Sequence, residues 1–300
     1  MGATPHGYAA ETTVRIHFRR MTVFALILER RMQFLRILLL AAVLFCQGTA
    51  GAEITLSPLR QVITETDRVA IYRVSNPSAR LIEGRVRWLD LAATETGYEE
   101  ASAEARAHLS AAPYLTVWPA FFRLEPGASQ TITVALKEGA APPPGERRSH
   151  LMIETGAIRT PLRKAGGALE LDIGLGVSTP VLLRGGRGET GAAIGDTRLL
   201  RTAEGTLELE THVEPRGDFS AYGRIDILFS PRKEDRLGPA GLLKRVENVA
   251  AYIDAPRRRV TLPLGVERLP AGVLEVRYIG RAEFEGREFA KRAFEIAPPR

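Results

Sequence analysis

From Glu53 onward almost every segment alternates apolar and polar residues with a period of two. That pattern fits strands with one buried face and excludes helices, whose apolar stripe recurs every 3.6 residues. Ile82, Gly84, Val86 and Trp88 are separated by Glu83, Arg85 and Arg87, and Ile132, Val134 and Leu136 by Thr133 and Ala135. Turn chemistry interrupts the runs at Asn76-Pro77, Glu125-Pro126-Gly127, Pro142 to Gly145, Pro215 to Asp218 and Leu269 to Gly272. Short strands with turns at this spacing predict an all-β chain built from sandwiches. Only Ala101 to Ser110 breaks the pattern, and it stays open between a short helix and a loop.

The glycine-rich stretch Gly185-Gly186-Arg187-Gly188 follows the strand-like run Ala168 to Leu183 and precedes a new set of alternations. It predicts a linker at 185–188 between domains at 53–184 and 189–300, each the size of an immunoglobulin-like sandwich with insertions. In the second domain, Leu207 and Leu209, then Ile225, Ile227 and Phe229, then Val260, Leu262 and Leu264, then Leu274, Val276 and Tyr278 mark successive strands.

Residues 1–52 read differently. Arg30, Arg31 and Arg36 precede or open an apolar run, Leu35 to Phe45, which ends in the small-residue exit Ala50-Gly51-Ala52. Basic start, apolar run of about a dozen residues and A-x-A exit predict a cleavable signal peptide, too short to span a membrane. Translation could begin at Met1, Met21 or Met32. Phe45 before Cys46 argues against a lipoprotein, and export past Ala52 removes the single cysteine.

Six of the 41 Lys and Arg and two of the 35 Asp and Glu precede Glu53, which leaves 35 against 33, a net charge of +2. Nucleic-acid binding would need a clustered basic face with interleaved aromatics. The densest run, Arg257, Arg258 and Arg259, sits between a turn proline and an alternation and reads as a solvated strand end. Catalytic chemistry is poorly supplied: the mature chain holds His108, His150 and His212, no cysteine, no zinc-helix histidine pair, no G-x-S-x-G elbow and no phosphate-cradling glycine loop. His150 reads as a strand residue near a hairpin, and Glu99-Glu100 as solvated. The expectation is a protein that is not an enzyme and uses no cofactor or metal.

The longest one-faced row is Leu169, Leu171, Ile173, Leu175 and Val177, alternating with Glu170, Asp172, Gly174 and Gly176. It can be an inner strand of the first sandwich, or a row offered at a sheet edge to another protein, where main-chain bonds give affinity and alternate side chains fill pockets. Three stretches decide how to read it. Val117 to Thr131, VWPAFFRLEPGASQT, Leu169 to Gly186, LELDIGLGVSTPVLLRGG, and Ile54 to Arg60, ITLSPLR, resemble periplasmic chaperones of the chaperone–usher pilus pathway, and Pro144 to Leu151, PGERRSHL, is similar to that family's divergent branches.

The resemblance implies two immunoglobulin-like domains in an L, with a cleft between them, and a periplasmic protein that binds, folds and caps pilus or fimbrial subunits by donor-strand complementation. The row Leu169, Leu171, Ile173, Leu175 and Val177 would be lent to a subunit that lacks its last strand, until delivery to an outer-membrane usher. Arg60 would anchor the subunit's terminal carboxylate, and Arg184 would tie the domains together at the elbow, with Glu146 as its partner. The family's second basic anchor falls on Pro180 here. Neither nucleic acid nor membrane insertion enters this picture; a two-domain adhesin or structural surface protein is the alternative.

Overall fold

A computed structural model describes residues 54–157 and 175–297, all within one compact unit, Ala52–Arg300. The leader and signal-peptide expectations lie outside the described residues. The protein is all-β, with a first set of sheets ending at Gly185 and a second beginning at Thr190.

The first sandwich packs the sheet β1–β3–β9–β7 on the sheet β2–β11–β10–β4–β8. Its strands are β1 (Thr55–Ser57), β2 (Gln61–Ile63), β3 (Val69–Ser75), β4 (Ile82–Leu89), β7 (Leu115–Trp118), β8 (Phe121–Leu124), β9 (Ser129–Leu136), β10 (Gly145–Ala157) and β11 (Leu175–Gly185). A small hairpin, β5 (Leu91–Ala93) and β6 (Tyr98–Glu100), stands apart from both sheets. The alternation does what it predicts: Ala70, Tyr72 and Val74, Ile82 and Val86, Ile132 and Val134, Leu151 and Ile153, and Val181 and Leu183 meet in one core. Glu99 and Glu100 lie in β6, and the open segment contains a helix, α1 (Ala103–Leu109), capped by the Ser102 side chain, which accepts from the Ala105 amide.

The chain switches sheets early. β1 pairs antiparallel with β3, and after Pro58-Leu59-Arg60 β2 pairs parallel with β11, placing Gln61, Val62 and Ile63 beside Val181, Leu182 and Leu183. Arg60 therefore sits at the corner, level with Pro180. The other edge of β11 pairs antiparallel with β10 along its whole length, from Gly185 beside Gly145 to Leu175 beside Thr155.

The second sandwich sets β12 (Thr190–Arg201), β13 (Leu207–Gly217) and β17 (Arg258–Pro263) against β14 (Ala221–Lys233), β16 (Gly241–Ala251), β18 (Gly272–Gly280) and β19 (Glu288–Ile296); a short β15 (Arg236–Leu237) extends β14. Leu209, Val213, Ile225, Ile227, Leu262, Leu274, Val276 and Tyr278 form its core. No helix among the described residues is long and apolar enough to cross a membrane.

Candidate site where the two sandwiches meet

On β10 and β11 the residues of one parity face the first core, so those of the other parity face away from it. Glu146, Arg148 and His150 on β10 share that outward face with Arg184, Leu182 and Pro180, their register partners on β11. Arg148, His150, Leu182 and Arg184 are buried, and so is the side chain of Glu146.

Arg184 is the hub. Its Nε donates to Glu146 Oε2 at 2.8 Å, Nη1 to Glu283 Oε1 at 3.2 Å and Nη2 to the Ser220 carbonyl at 2.9 Å. Its guanidinium lies 5.1 Å from the Phe219 ring centre and 5.5 Å from that of Phe284. Glu146, whose side chain is 2% exposed, also accepts from the Ser220 amide at 3.1 Å and from the Ser220 hydroxyl. A buried carboxylate is tolerable only with its charge paired and its lone pairs filled, and all three donors are present here.

Arg60 belongs to the same cluster. Its Nη1 donates to Glu283, on the short 3-10 turn Ala282–Phe284, and its guanidinium lies 5.0 Å from the Tyr222 ring centre. Its side chain is 3% exposed, and Nε and Nη2 are buried without a partner. Those two groups are the side-on fork with which an arginine grips a carboxylate through two parallel bonds.

A second seam is built by the β5–β6 hairpin. Arg148, opposite Leu182, donates through Nη1 and Nη2 to the two Asp254 oxygens, both at 2.8 Å, and through Nη2 to the Leu91 carbonyl at 2.9 Å; its guanidinium lies 3.9 Å from the Tyr252 ring centre. At the hairpin tip, Glu95 accepts from Arg259 Nε at 3.0 Å and Nη2 at 2.8 Å, and from Arg257 Nη2 at 3.4 Å. His212 Nε2 lies 2.9 Å from the same carboxylate, and the Arg259 amide donates to the Glu95 carbonyl at 2.7 Å. The Arg259 hydrogen bonds, helped by His212 and Arg257, hold the Glu95 carboxyl down to about 2. The basic run read as a solvated strand end is thus a socket for a carboxylate from the other sandwich. The sequence did not reveal it because the partner lies 162 residues away.

His150 lies on the same outward face, edge-on to Tyr98 with ring centres 5.0 Å apart. Both of its ring nitrogens are buried without a partner. Burial, with the Arg148 charge beside it, pushes its pKa down to about 4.

Of the residues singled out in the sequence, Arg60 and Arg184 are linked through Glu283, and Glu146 joins them through Arg184. Leu169, Leu171 and Ile173 lie outside the described residues, as does the side chain of Leu175. Val177 is half-buried against the first core. Pro180 has no amide to donate, and its carbonyl accepts from the Tyr72 hydroxyl at 3.4 Å. Sequence reasoning did not single out Glu283, Ser220, Arg148, Asp254 or Glu95; a signal existed only for Arg148, whose alternation with Glu146 and His150 places it on their face.

β2 covers β11 only from Val181 to Leu183. Among the described residues nothing pairs with that edge from Leu175 to Pro180, so six residues of strand end at the corner held by Arg60.

No family model matches the chain, and no curated protein matches it. Among solved structures it is similar to a chain of the complex of the Salmonella enterica SafA pilin with the SafB chaperone, at 16% identity and a TM-score of 0.40 over 83% of this chain and 99% of that one. It is similar to a chain of the CsuC–CsuE chaperone–tip adhesion subunit pre-assembly complex, from the archaic chaperone–usher Csu pili of Acinetobacter baumannii, at 12% identity and a TM-score of 0.39 over 81% and 98%. It is likewise similar to the Pseudomonas aeruginosa CupB2 chaperone, at 12% identity and a TM-score of 0.38 over 82% and 100%.

Proposed function

We propose that this chain is a periplasmic chaperone of pilus assembly, exported by the signal peptide read at residues 32–52, that captures subunits by strand addition and hands them to an outer-membrane usher. The observation that carries the reading is the edge of β11 from Leu175 to Pro180, unpaired among the described residues, which ends at an arginine whose carboxylate-binding fork has no partner among them. A subunit strand seated on that edge would lie in line with β2 and, like β2, run parallel to β11. Its last residue would then meet Arg60, where a terminal carboxylate finds a cation and two donors. The row Leu169, Leu171, Ile173, Leu175 and Val177 would fill the groove that the subunit leaves open. Each such side chain contributes roughly 1.5–3 kcal/mol on burial, before ordering costs. The mechanism needs no covalent step: main-chain pairing gives affinity, the apolar row shields the subunit core, and the arginine sets register.

The test is recovery of the client. The protein, tagged at its C-terminus, is isolated from the periplasm of its own host, and co-purifying proteins are identified by mass spectrometry. A small β-rich subunit recovered with the wild type and lost with Ile173→Asp is the expected result. Normal recovery with Ile173→Asp sinks the donor-strand reading; location on the cell surface or in a polymer, without a client, favours the adhesin alternative.

A further inference from the structure

Arg60 is held at one end only. Of its guanidinium nitrogens, Nη1 is bound by Glu283, while Nε and Nη2 are buried and unpartnered. Glu283 is in turn shared, since the same Oε1 accepts from Arg184 Nη1 at 3.2 Å. Arg184 is fixed by Glu146 and the Ser220 carbonyl. The chain Glu146–Arg184–Glu283–Arg60 thus runs from β10 and β11 through the turn after β18 to the corner at the end of the open edge.

We infer that Glu283 is a positioning residue for carboxylate capture. It pairs with Arg60, pins its Nη1 against the elbow, and leaves the Nε–Nη2 fork, unpartnered among the described residues, for an incoming carboxylate. A guanidinium has a fixed, planar donor set, so fixing one terminal nitrogen and the ring of Tyr222 below it fixes where the fork lies. The unused pair is the bidentate pair; had Glu283 taken the fork, a second carboxylate would have to displace it. The inference rests on the reading of Arg60 as the anchor for a strand's terminal carboxylate.

The probes are an acetylated heptapeptide of alternating valine and threonine with a free C-terminal carboxylate, and its C-terminal amide, titrated against the purified mature protein by fluorescence anisotropy. The wild type is expected to prefer the carboxylate by roughly tenfold or more, the scale of a charge-assisted hydrogen bond. Arg60→Ala abolishes that preference. Glu283→Gln reduces it below about threefold and leaves the affinity for the amide unchanged, which a merely structural role would not do. Glu283→Asp keeps the charge but draws the shared oxygen back by one methylene from both Arg60 and Arg184, and gives an intermediate preference even if Glu283→Gln does not fold. Full preference in both Glu283 variants, or tighter carboxylate binding in either, overturns the inference while leaving the anchor intact. Wild-type preference in Arg60→Ala overturns the anchor itself, and failure of both peptides to bind the wild type overturns the open-edge reading.

Discussion

Arg184 collects its partners from both sandwiches, Glu146 with its side chain buried and Glu283 more open to solvent. Removing one member of such a group leaves charge stranded in a low dielectric, which costs far more than an exposed pair is worth. Arg184→Ala is expected to destabilise the protein by about 3–5 kcal/mol in urea unfolding. The double variant with Glu146→Ala should cost clearly less than the two single losses summed, because the second removal takes away the stranded charge. Steric control at the residue scale is clearest at Gly84, which faces Phe122 across β4 and β8. A Cβ there would stand 2.0 Å from Phe122 Cζ. Gly84→Ala is expected to cost about 1–3 kcal/mol through overpacking, with part of it recovered in the double variant Gly84→Ala/Phe122→Leu, both read by denaturant midpoints.

The β5–β6 hairpin is held by contacts from the second sandwich. It belongs to neither sheet, and its tip is held by Glu95 in the Arg257, Arg259 and His212 socket. With the carboxyl depressed from 4.5 to about 2, its contribution is complete above pH 4.5 and is lost as the pH falls through about 2. Thermal melts of Glu95→Gln across this window should show a flatter profile than the wild type, and lower stability at neutral pH. An identical slope in the two proteins would mean that the hairpin is held by its Asp254 contact, through the Ala93 amide at 2.7 Å, and not by its tip.

For the whole molecule, acid acts where the two sandwiches join. His150 stays neutral in the folded protein, facing Arg148, Asp254 and Tyr98, while an unfolded chain protonates it near its ordinary value of 6.5. Its folded pKa is lowered to about 4, so stability is highest above pH 6.5 and falls as the pH drops toward 4, by on the order of 3 kcal/mol in total. His150→Phe, which keeps an aromatic ring against Tyr98, should remove most of that slope between pH 6.5 and 4 in chemical denaturation. A slope as steep as that of the wild type would assign it to other groups.

The two-residue alternation determined by itself that the chain is all-β and which residues of each strand share a face, because strand parity is a local property that each pleat repeats, while Pro, Gly and Asn marked the turns. The motifs singled out Arg184 and Glu146, which pair in the structure, and the short stretch Ile54 to Arg60 singled out Arg60. What only the tertiary structure decided is the company these residues keep. Glu283 lies 223 residues from Arg60, and Glu95 lies 164 from Arg259. No period or motif connects such pairs; they meet because two sandwiches close on each other and each charge they bury must find a partner.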